Sequence, residues 1–148
     1  MRATTPLLVA ALCGLALTAF SRPLPQDDEH DETPLAEAMN RVGDALGDLR
    51  RSVRDPEATE ASLASVLICQ EASLFSKTQT PAMAAGVPEG ERPAFVKAYR
   101  LEMIRFERAL LDLEQALLEG KDVESLRELY KGLKGMEDPA HERFTEDG

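Results

Sequence analysis

From residue 33 onward, apolar residues return every three or four positions. After Thr33-Pro34 they fall at Leu35, Met39, Val42, Leu46, Leu49 and Val53. Steps alternating between four and three put all six on one face of a helix, and a hydroxyl followed by proline starts one well. Asp55-Pro56 repeats the start signal, and Leu63, Val66, Leu67, Ala72 and Phe75 supply the stripe of a second helix. The stretch from Thr78 to Gly90, with Pro81, Gly86, Pro88 and Gly90, reads as the longest connection. A third helix opens near Pro93 and carries Phe95, Tyr99, Met103, Phe106, Leu110, Leu113 and Leu117, with Gly120 just past its end. Asp122 caps a fourth, whose apolar side is Leu126, Tyr130 and Leu133. Gly135 and Pro139 should break that helix, leaving Asp138-Pro139 to start a short terminal turn. No segment keeps the two-residue alternation of a strand. The expected fold class is all-α, an antiparallel up-down-up-down four-helix bundle over 34–148.

The first 33 residues read differently. Arg2 precedes an uncharged, mostly apolar run from Leu7 to Phe20, and Ala19-Phe20-Ser21 offers small residues at a cleavage site. The run is too short to span a bilayer comfortably, so 1–21 is expected to be a signal peptide that sends the chain to the periplasm, with no membrane span left after cleavage. Residues 22–33, centred on Gln26-Asp27-Asp28-Glu29-His30-Asp31-Glu32, lack apolar periodicity and read as an acidic flexible arm.

Composition narrows the function. The chain has 148 residues, 43% apolar and 5% aromatic, enough for one small domain and poor in aromatics for a sheet protein. A formal charge of −10, one unit more negative once Arg2 leaves with the signal peptide, sets nucleic acid aside. Two cysteines and two histidines are too few for a zinc finger, a cysteine-ligated iron–sulfur cluster or a disulfide framework. Loss of Cys13 leaves Cys69 alone, at a spacing that suits a small buried apolar residue. No G-x-S-x-G elbow or phosphate-cradling glycine loop occurs, and one Asp-x-x-His, Asp138 to His141, does not make a di-iron site. An enzyme is not expected.

What remains is Met39 in the first apolar stripe and His141 in the last segment. In an up-down-up-down bundle the start of helix one lies beside the end of helix four. A thioether and an imidazole facing each other there could take both axial positions of a haem iron.

Three short motifs share an order and register: Leu35-Ala36-Glu37-Ala38-Met39, then Glu119-Gly120-Lys121, then Leu133-Lys134 followed by His141-Glu142-Arg143-Phe144. Together they resemble the cytochrome b562 family of periplasmic haem proteins over residues 34–145. The resemblance implies a non-covalent haem b with Met39 and His141 as axial metal ligands. Tyr99 and Met103 stand where the family lines its pocket with phenylalanines, and Phe106 matches a core position beside them. Glu137 and Ala140 occupy the cysteine positions of the c-type relatives, which excludes thioether attachment. The implied function is single-electron transfer by a monomer, with a periplasmic redox partner that carries a basic patch facing this acidic surface. The rival expectation is a haem-free periplasmic binding or stress-response protein on the same scaffold. Gly43 and Gly47, at four-residue steps after Met39, suggest either room for a macrocycle edge or close helix–helix approach.

Overall fold

A computed structural model describes residues 33–145. The expected signal peptide (1–21), nearly all of the acidic arm (22–33) and residues 146–148 lie outside the described residues. Those described are helical, with no strand among them: α1 Pro34–Ser52, α2 Thr59–Ser76, a 3-10 turn Ala82–Ala85, α3 Arg92–Leu118, α4 Val123–Lys134 and α5 Glu137–Phe144. No helix among them is long and apolar enough to cross a membrane.

Several helix ends follow their sequence signals. The Thr33 hydroxyl accepts the Ala36 amide at 3.2 Å, and Pro34 begins α1. Asp122 accepts the Ser125 amide at 2.9 Å and starts α4. Gly120, at φ 67°, closes α3: the Lys121 amide reaches back to Ala116 O at 3.0 Å and the Gly120 amide to Leu117 O at 3.1 Å. The fourth expected helix is broken into α4 and α5 by Gly135 and Met136, and Pro139 sits in the first turn of α5, where its missing N–H costs nothing.

Helix α2 departs from expectation at its start and in its apolar face. Asp55-Pro56 builds a turn in which the Asp55 carboxylate accepts the Glu57 amide at 2.9 Å, and the helix begins only at Thr59. Its inner face carries Ser62, Ser65, Val66, Cys69, Ala72, Ser73 and Ser76, whereas Leu67 and Phe75, both expected inside, are exposed. Small side chains let the helix bury a hydroxyl-rich face because three of the four serines return their protons to carbonyls of their own helix, Ser65 to Ala61, Ser73 to Gln70 and Ser76 to Ala72. Ser62 Oγ is buried with no partner.

One core joins α1 to α4. Leu49, Val66, Cys69, Leu110, Leu113 and Leu133 are fully shielded from solvent at its centre, and a leucine so placed contributes about 1.5–3 kcal/mol. Helix α1 packs on α2, α2 on α3 and α3 on α4. The Tyr130 hydroxyl donates to Leu46 O at 3.1 Å and ties α4 to α1. Cys69 faces Val42 O, and burial pushes its thiol up to about 12, so it is a packing residue. Gly43 and Gly47 do not serve close helix approach: both are exposed, and a Cβ on either would meet nothing within 4 Å. A second, smaller cluster of Tyr99, Met103 and Phe144, with Leu35, Met39, Phe95 and Phe106 against it, occupies the end of the molecule where α1 begins and α5 finishes.

Candidate functional site

That second cluster forms one wall of a cavity of about 1000 Å³. Cofactor and ligand sites usually fall between 300 and 1,000 Å³. All five residues singled out in the sequence line it: Met39 from α1, Tyr99, Met103 and Phe106 from α3, and His141 from α5.

Each is positioned by local chemistry. The Thr33 cap fixes the first turn of α1, so Leu35 and Met39, one turn apart, share its inner side; Met39 is half-buried. On α3, Tyr99, Met103 and Phe106 follow at helical steps, the first two buried and the third half-buried. The Tyr99 hydroxyl donates to Ser76 O at 3.0 Å and locks α3 to the last residue of α2. Burial pushes that phenol up to about 12, so it stays a neutral donor.

His141 depends on Phe144 for its place. The Phe144 ring is 7% exposed and meets Phe95 and Tyr99 edge to face, with centroids 5.3 and 5.4 Å apart. The Arg143 guanidinium lies 5.2 Å from the same ring centroid. The backbone amide and hydroxyl of Thr145 both donate to His141 O, at 3.0 and 2.8 Å, and close the helix. Three residues before Phe144, His141 lies on the same side of α5; it is exposed, at the cavity rim.

Sequence reasoning missed Met83, Met136 and Phe144 as lining residues. Every methionine of the described residues, Met39, Met83, Met103 and Met136, borders this one cavity. Met83 and Met136 lie in the connection and at the α4–α5 break, where no apolar period marks them. Arg92 holds the connection in place: its guanidinium donates to Ala84 O at 2.8 Å and to Val87 O at 3.3 Å.

The rim is acidic. Asp44, Glu102 and Glu137 are among the lining residues and no Lys or Arg is. Glu102 pairs with Arg105 at 2.6 Å and Glu137 with Lys134, both cations lying outside the lining. No group of three or more His, Cys, Asp or Glu side chains among the described residues could hold a metal ion. Besides these carboxylates, the lining offers thioethers and one imidazole.

No family model, curated protein or solved structure matches this chain.

The donor set suits a haem iron. A thioether and an imidazole on different helices border one apolar space of cofactor size, which is the pairing a low-spin haem takes. The walls offer its carboxylates no ion pair.

Proposed function

We propose that this chain is an exported b-type cytochrome of the cytochrome b562 kind, binding haem b non-covalently and passing single electrons in the periplasm. One observation carries the reading: Met39 and His141 line the same cavity as Tyr99, Met103 and Phe106. The helices are then an antiparallel four-helix bundle whose last member is broken. Two cross-links support that order, Gln70 to Glu114 at 2.6 Å and Lys77 to Glu107 at 2.7 Å, because numbers rise on α2 as they fall on α3.

In this reading Met39 Sδ and a nitrogen of His141 would hold the haem iron. Haem supplies a one-electron couple, and a methionine–histidine pair raises its potential relative to stronger donors. Tyr99, Met103 and Phe106 exclude water from one face of the site. Phe144 positions His141 by anchoring α5. The acidic surface steers a redox partner with a basic patch at low salt.

The second reading, a haem-free binding protein, is favoured by the exposure of His141 and by Phe144 already packing on Tyr99. Haemin titration separates the two. One equivalent per chain, with a sharp Soret band and a raised melting temperature, supports the cytochrome. A flat titration with unchanged melting supports the other.

A further inference from the structure

The outer side of α2 and of α3 each carries a row of exposed leucines. Leu67, Leu74, Leu111 and Leu118 are 53%, 52%, 55% and 69% exposed. Leu67 and Leu74 are one heptad apart on α2; Leu111 and Leu118, with half-buried Ile104 a heptad earlier, repeat that spacing on α3. The serine-lined inner face of α2 is what turns its leucines outward.

At 100° per residue the two rows are neighbours. Gln70, Ser73 and Lys77 mark the side of α2 against α3, because they reach Glu114 and Glu107. Leu67 and Leu74 come next on the outward side. On α3, Ile104, Leu111 and Leu118 come next after Glu107 and Glu114 in the same outward sense. The result is two parallel rows of leucines flanking one seam, about 21 Å long from Ile104 to Leu118.

We infer that a second copy of this chain covers this face, antiparallel, around a twofold axis at the level of Leu111. The pattern is self-complementary about that point. A residue at position 111 + k then meets 111 − k, so Leu118 faces Ile104 of the second copy and Leu111 faces its equivalent. On α2 the level of Leu111 falls between Gln70, which reaches Glu114, and Ser73, which reaches Glu107, so Leu67 and Leu74 lie on either side of the axis.

Charge selects a second copy over another partner. Lys97, Arg100 and Arg108 lie in the first two-thirds of α3 and make no ion pair among the described residues. Asp112, likewise unpaired, follows towards its end, whereas Glu119 just beyond already pairs with Lys121 at 3.1 Å. Antiparallel pairing brings Arg108 within two residues of Asp112 of the second copy, on the side away from α2. Each contact occurs twice. A parallel arrangement would oppose like charges. Two rows of this length are at or below the small end of specific interfaces, so the dimer is weak, forming at about micromolar concentration and above. This association does not depend on the haem reading, and it differs from the monomer expected from sequence.

Sedimentation velocity of the purified protein at physiological salt, from 1 to 300 µM, tests the inference. The expected result is a mass that doubles across that range. Leu111→Glu and Leu118→Glu should each hold the monomer mass with an unchanged far-ultraviolet spectrum, as both side chains already face water. Arg108→Asp and Asp112→Arg should each weaken the dimer at least tenfold, and the double variant should restore it. A monomer at 300 µM overturns the proposal. So does a dimer that the leucine variants leave intact, or a double swap that restores nothing.

Discussion

The ring of Phe144 meets that of Tyr99 edge to face at 5.4 Å. Tyr99 in turn donates to Ser76 O, so the last helix rests on a residue that is itself bolted to the end of α2. An eight-residue helix has little stability of its own. Its position, and with it that of His141, comes from this aromatic anchor.

Phe144→Ala should therefore release α5 while α1 to α4 stay folded. The expected outcome is new tryptic cleavage after Lys134 and Arg143, with most of the helical signal kept and haem affinity at least tenfold weaker. Loss of the whole fold would show that α5 is a structural part of the core.

Gly47→Ala should stabilise the protein. Gly47 lies inside α1, and a Cβ there meets nothing within 4 Å. Alanine in a helix interior is worth about 0.5–1 kcal/mol over glycine. The check is a higher urea midpoint with an unchanged slope.

Acid should loosen the start of α4 first. The Ser125 backbone amide, then its hydroxyl, bonds to the Asp122 carboxylate and holds it below the usual carboxylate range. A group depressed in the folded state contributes fully above its unfolded value, about 3.9, and its contribution is lost as pH falls through the lowered folded value. The Ser125 amide resonance should move across that acidic window. Asp122→Asn keeps a cap and should abolish the movement.

The sequence made the helices legible where two signals agreed. Thr33-Pro34 and Asp122 name their helix starts by side-chain chemistry that acts within three residues, and Gly120 names an end by its positive φ. Helical period put Met39, Tyr99, Met103 and Phe106 on apolar stripes and the family resemblance grouped them with His141; all five border one cavity. Helix α2 was not. Its leucines suggested an inner face, but the serines occupy it, bonded to carbonyls that only the folded helix supplies. Asp55-Pro56 was misleading because a turn and a helix start use the same carboxylate-to-amide bond. Met83 and Met136 escaped notice because an irregular segment has no period to betray which side faces inward.

The most direct measurement is the visible spectrum of the haemin-loaded, dithionite-reduced protein, taken beside those of Met39→Ala and His141→Ala. The account predicts sharp low-spin α and β bands in the parent, lost in both variants and kept in Met83→Leu and Met136→Leu. Bands that survive in either alanine variant, or a parent that takes up no haem, would contradict it.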